Sequence, residues 1–170
     1  MACDITIGRD RACKDGLGGN STLYLYNELA DAFTVLGGEA TAMNVLLTAA
    51  FAFPLEGDGN TLEQSMVSDR NTGTKVNTQT LTVMLKNMDA ATSAEFNLLA
   101  AGYPQAVVVD RNGNHHAIGL DDGIDFTVLA STGGAKTDMN GYTLTGIATT
   151  TDIAPLLDEA TVTAFEAVVS

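Results

Sequence analysis

Two cysteines, no tryptophan and eight basic residues are what this 170-residue chain has least of. Each shortage removes a class of function. Nine residues separate Cys3 from Cys13, a spacing that fits no zinc pattern, and no histidine lies near them. Two free thiols are the expectation for a reducing cytoplasm. The eight Lys and Arg stand against 21 Asp and Glu, for a formal net charge of -13. Binding to nucleic acid needs phosphate-neutralising cations, and this chain does not supply them. A surface that DNA passes without sticking remains compatible with that balance. Without Trp and with aromatics at 6%, the chain is a poor source of stacking platforms for sugars. No apolar run approaches the roughly 18–20 residues of a membrane span. The opening MACDITIGRDRACKDG is polar and has no signal-peptide core, so folding in a cytoplasm is expected.

What is present points to one folded domain over residues 1–170. A hydrophobic share of 45% and a mean hydropathy of +0.12 are those of a folded chain with a real core. Charge is unevenly placed. Residues 1–15 set Arg9, Arg11 and Lys14 against Asp4, Asp10 and Asp15, whereas residues 121–170 hold eight acids and only Lys136. Short runs of apolar residues and Thr alternate with Gly/Asn/Asp turns, which reads as a mainly β sandwich or barrel.

Along the chain, residues 1–20 form an extended arm, because CKDGLGGNS is too rich in Gly and polar residues for a strand core. STLYLYN (21–27) and FTVL (33–36) read as strands, with Gly37-Gly38 as a break. The apolar run 44–55 fits strand or helix equally well. TLEQSMVSD (61–69) and KVNTQTLTVML (75–85) predict a long polar hairpin around Asn71–Thr74. Glu63, Ser65 and Asp69 share one face of its first arm, and Thr78, Thr80 and Thr82 one face of its second. Such a hairpin packs its apolar side on a core and turns its hydroxyl and acid side to water. One helix is predicted next, opened by Thr92-Ser93-Ala94-Glu95 as a capping box and stopped at Gly102 and Pro104. Strands are expected at 105–110, 115–120, 124–131, 142–149 and 161–169.

Candidate chemistry is sparse. In VVVDRNGNHHAIGLDD (107–122), Asp110, Asn112, Asn114, His116 and Asp121 fall near the ligand spacing of a calcium loop. His115 stands where that loop needs Gly, Asp121 where it needs Glu, and both flanks have strand composition. Asn112-Gly113 is instead the signal for a type I′ hairpin turn. His115 and His116 are adjacent, so on a strand they face opposite ways and cannot share a metal. Asp121, Asp122 and Asp125 read as a solvated turn. Gly16-Leu17-Gly18-Gly19-Asn20 lacks the Gly-Lys-Ser/Thr ending and preceding strand of a phosphate loop. No nucleophile motif is present. No catalytic, cofactor or metal residue is therefore nominated, and weight shifts to a structural or binding role.

GGAKTDMNGYTLTGIATT (133–150), following the hairpin VVVDRNGN-HHAIG, resembles a run near the C-terminus of the tail tube (major tail) proteins of tailed bacteriophages. CKDGLGGNSTLYLYN is similar to the opening of the same family, a Cys-Lys-Asp and Gly-rich arm leading into the first strand. The order of parts is similar over most of the chain, the specific motifs over about 30 residues. The resemblance implies a β-sandwich or small barrel with one flanking helix. It implies a virion protein, assembled in the host cytoplasm, whose copies form rings, six to a ring, that stack into a hollow tube. DNA passes as non-specific cargo, other tail proteins are partners, and no cofactor or membrane contact is implied. The hairpin 61–85 would line the channel with Glu63, Ser65, Asp69, Thr78, Thr80 and Thr82. The arm, with Arg9, Arg11, Lys14, Asp15 and Leu17, would bridge to a neighbouring copy. Arg70 and Lys75 would sit at the hairpin tip and pair with acids of the next ring. Another tail ring protein, terminator or distal, and a monomeric ligand- or carbohydrate-binding sandwich are the alternative readings.

Overall fold

A computed structural model describes residues 5–170; Met1–Asp4 lie outside the described residues, and the thiol expectation for Cys3 lies there with them. Cys13 is a free, exposed thiol. In chain order the elements are β1 (Asn20–Tyr26), β2 (Phe33–Leu36), β3 (Glu39–Met43), β4 (Phe51–Pro54), β5 (Thr61–Asp69), β6 (Thr74–Lys86), α1 (Ala90–Leu99), β7 (Gln105–Asp110), β8 (His115–Ile118), β9 (Asp125–Ser131), β10 (Gly141–Thr150), β11 (Leu156–Leu157) and α2 (Glu159–Glu166). They build a seven-stranded sheet, ordered β2-β3-β11-β8-β7-β1-β4, and a four-stranded sheet, ordered β5-β6-β10-β9. The arrangement is a β-sandwich, not a closed barrel.

Period-two alternation dictates this layering. On β6, Leu81 and Val83 point inward while Thr78, Thr80 and Thr82 point out; on β10, Leu144 and Ala148 point inward. They meet Leu23, Leu25, Ala106, Val108 and Ile118 of the larger sheet in the inter-sheet core. Gly146 lies among these inward positions because a side chain there would meet Ile124 and Phe126; a Cβ would stand 2.7 Å from both. α1 closes one end of the sandwich. Its Phe96 is buried and meets the ring of Tyr142 edge-on at 4.9 Å. The other face of the larger sheet carries a second core, in which Phe165 of α2 packs against Tyr24, Tyr26 and Phe33.

Several expectations are corrected. Residues 161–169 are not a strand: α2 starts after Asp158, whose carboxylate accepts from the Thr161 amide at 2.7 Å. The described residues thus form two helices where one was expected. α1 starts three residues before the anticipated box, because Asp89, not Thr92, is the cap; its carboxylate accepts from the Thr92 amide at 2.7 Å and the Thr92 hydroxyl at 2.6 Å. The ambiguous run 44–55 divides into a turn and the short strand β4. The 110–114 turn is not type I′. Asn112 is absent from the positive-φ residues and only Gly113 (φ 87) is left-handed. The Gly113 amide donates to the Asp110 carbonyl and the Asp110 amide to the Asn114 carbonyl, which is a type I turn closed by a left-handed Gly. The Asp110 side chain imposes it by accepting from the amides of Asn112 (2.8 Å) and Asn114 (2.9 Å).

Candidate functional site

The predicted hairpin is present, with arms at β5 and β6 and its turn at 70–73. Its register brings the nominated residues together. Glu63 stands opposite Thr80, Ser65 opposite Thr78, and Asp69 opposite Thr74. All lie on the outward face of the four-stranded sheet, exposed or half-buried. The hydroxyl face does not stop at the hairpin. β10 extends it on one side of β6, and β9 extends it further. Thr61, Thr82, Thr145 and Thr127 form one unbroken row across all four strands. The adjacent row reads Glu63, Thr80, Ile147 and Asp125, and the next Ser65, Thr78 and Thr149. Sheet geometry sets these rows about 7 Å apart and their members about 4.8 Å apart. Thr127, Thr145 and Thr149 were not nominated from sequence. The same period-two pattern in YTLTGIATT was the available signal, but the pairing of β10 with β6 was not.

Val67 and Val76 also face outward, opposite one another, near the hairpin tip. The one cation at an outward position of these strands, Lys86, ends β6 and lies 3.3 Å from Glu56. The Lys75 ammonium lies 2.5 Å from Asp152 of its own chain, and both side chains are exposed. Both outer strands of this sheet, β5 and β9, pair on one side only. They are nine and seven residues long, and expose Val67 and Leu129. Long open edges bearing apolar side chains are templates for pairing with another chain.

Behind the hydroxyl face, at the hairpin end of the sandwich, lies a buried polar network. Gln79 accepts from the Gly119 amide at 3.0 Å and donates to Thr150 at 3.3 Å. Asn77 donates to Gln64 at 3.1 Å and to the Asp152 carbonyl at 2.9 Å. Gln64 accepts in turn from the Ala154 amide at 2.8 Å. This network fixes the hairpin to the 150–154 segment, and its members Gln79, Thr150 and Asp152 line a cleft of about 710 Å³ together with Phe33, Met66 and Ile153.

The 107–122 stretch is a connector. Burial pushes the Asp110 carboxyl up, but hydrogen bonds from Asn114, His116 and the Asn112 amide outweigh it and hold the group below its ordinary value. His116 Nε2 lies 3.3 Å from Asp110, while His115 points to the opposite face and stacks on Tyr24. Asn112 reaches the arm: it accepts from the Leu17 amide at 2.8 Å and donates to the Leu17 carbonyl at 2.9 Å. The arm is therefore anchored at Leu17, short of its expected limit at residue 20. From Ile5 to Gly16 it is exposed and outside any helix or strand. Arg9, Arg11, Lys14 and Asp15 lie in that exposed part and make no ion pair among the described residues.

No family model, no curated protein and no solved structure matches this chain.

Proposed function

We propose that this chain is a self-assembling structural subunit of a phage-type tail tube, with the four-stranded sheet lining the channel. One observation carries this reading: a four-strand hydroxyl and acid face, on a sheet whose two edge strands are both open. β5 of one copy pairs with β9 of the next, and repetition of that step closes a ring of strands. The resemblance in the arm and in residues 133–150 supports six copies per ring and stacking of rings into a tube. The wall this creates suits passage of DNA. Thr and Ser hydroxyls keep it wetted, Glu63 and Asp125 repel phosphate, and the rows hold no Lys or Arg to retain it. At about 0.15 M salt the Debye length is about 8 Å, so the repulsion acts only on a polymer held close to the wall, as in a narrow channel. The larger sheet and α2 form the outside.

Negative-stain electron microscopy of the purified full chain tests the reading. Rings or tubes are the expected result. A chain that stays strictly monomeric at high concentration would overturn it.

A further inference from the structure

We propose that the groove between α1 and β4 seats the segment Ile5–Arg11 of a second copy of this chain. This rests on the reading of the chain as a self-assembling subunit and names the surfaces that meet. The groove has a volume of about 580 Å³, within the range of roughly 300–1,000 Å³ common to binding clefts. Phe51, Phe53, Leu98 and Tyr103 give it apolar walls, and Glu28 and Glu95 stand on its lining with no Lys or Arg beside them. Phe51, Leu98 and Tyr103 are half or more exposed, an unusual amount of large apolar surface in one place. Neither glutamate has an ion-pair partner among the described residues.

The arm supplies the complement. Ile5 and Ile7 are 96% and 85% exposed, and Arg9 and Arg11 follow at the same two-residue step. In an extended segment these four side chains fall on one side, two apolar and then two cationic. Two isoleucines suit the apolar walls, and two arginines suit two unpaired carboxylates. Of the cations outside the arm, Lys75, Lys86 and Arg111 pair with Asp152, Glu56 and Asp58 of their own chain, and Arg70 and Lys136 are single cations in exposed turns. The arm's own groove is a poor target for it. Asn112 holds Leu17 beyond one end of β7, whereas Tyr103 and Pro104 of the groove precede the other end. That strand spans about 20 Å, and the chain from Leu17 to Arg11 covers about 20 Å only when fully stretched. A neighbour's arm has no such constraint.

Disulfide trapping in the full chain tests this, in a background with Cys3→Ser and Cys13→Ser. One chain carries Ile7→Cys; a second, distinguished by a tag, carries Leu98→Cys. Mild oxidation of the mixture is expected to give a mixed dimer several-fold more abundant than with Leu36→Cys, a control at the opposite edge of the larger sheet. Arg9→Glu with Arg11→Glu should reduce the trapped species several-fold, and Glu28→Lys with Glu95→Lys on the partner should restore it. Trapping no better than the control overturns the proposal. So does a chain bearing both cysteines that closes on itself at every concentration. Microscopy of the same sample separates the two readings: tubes without trapping reject the groove alone, and trapping without tubes supports the groove and rejects the tube.

Discussion

The side chain of Asn112 holds the backbone of Leu17 in both directions, accepting from its amide at 2.8 Å and donating to its carbonyl at 2.9 Å across 95 residues of sequence. One of the five residues behind the metal-like spacing of the 107–122 stretch is thus the point where the arm meets the body. Asn112→Ala removes both bonds. Both groups are exposed and water replaces the partner, so the loss to global stability should stay below about 1.5 kcal/mol. The local effect should be larger. Trypsin should cut after Lys14 several-fold faster than in the parent, while the melting temperature moves by only a few degrees. Equal cleavage rates would show that the clasp does not restrain the arm.

Acid should destabilise the fold through a small set of carboxylates. Thr92 holds the Asp89 carboxyl below its ordinary value of 3.8, the amides of Ala135 and Gly134 do so for Asp138, Thr161 for Asp158, and the hydrogen bonds that outweigh burial do so for Asp110. A lowered folded-state value means that the unfolded chain binds more protons through this window. Stability from these groups is full above about pH 4 and is lost as pH falls through their lowered values. Melting temperatures between pH 7 and pH 2 should fall most steeply below pH 4. Asp110→Asn should lower the neutral-pH melting temperature and flatten that acid limb. An unchanged limb would remove Asp110 from the account.

Gln79 and Thr80 are neighbours on β6 with opposite fates. Gln79→Leu leaves the Gly119 amide without its acceptor and Thr150 without the Gln79 donor, at a cost of about 1–3 kcal/mol. Thr80→Ala, on the outward face, should change stability by about 0.5 kcal/mol or less. Urea denaturation of the two variants checks the assignment of faces. Equal losses would contradict it.

That pair also shows how far sequence reading reaches. Period-two alternation predicts β6 and β10 nearly to the residue, because each has one buried and one wetted face; β7 is buried on both faces and shows only as the short apolar run Ala106–Val109. In KVNTQTLTVML both faces are polar near the tip, so Asn77 and Gln79 gave no sign of pointing inward. Their partners at 150–154 lie about 70 residues away. TVTAFEAVV (161–169) is rich in β-branched residues, and its propensity favours strand. The Asp158 cap and the burial of Thr161 and Phe165 four residues apart override that propensity. β3 (EATAM) carries only two alanines at alternate positions, too weak an apolar signal to mark a strand, and is held by β2 and β11. The α1–β4 groove draws on the segments 25–28, 51–53 and 95–104, and no local pattern joins them.

Gly146 should tolerate no side chain. It faces the inter-sheet core, where a Cβ would stand 2.7 Å from Ile124 and Phe126. Gly146→Val requires both residues to shift and should destabilise by about 1–3 kcal/mol through overpacking. Calorimetry should show a clear drop in melting temperature. Thr145→Val, one residue along and facing out, should leave it nearly unchanged.

The outward rows offer the sharpest test of the channel reading. Thr80 and Thr145 sit on adjacent rows, half-buried, with no side-chain hydrogen bond to the core. Thr80→Lys with Thr145→Lys should therefore leave the fold intact. In a lone subunit two added cations on a chain of net charge -13 should not create DNA binding. In a closed ring the same substitutions repeat around the channel, and every copy presents its lysines to one enclosed strand of DNA. Assembled variant tubes should retain DNA at low salt and release it as salt rises, because bound counterions are exchanged at each phosphate. Parent tubes should retain none. Retention assayed on assembled and on dissociated protein separates the two geometries. DNA retained equally by both would place the threonine face on the outside of the assembly.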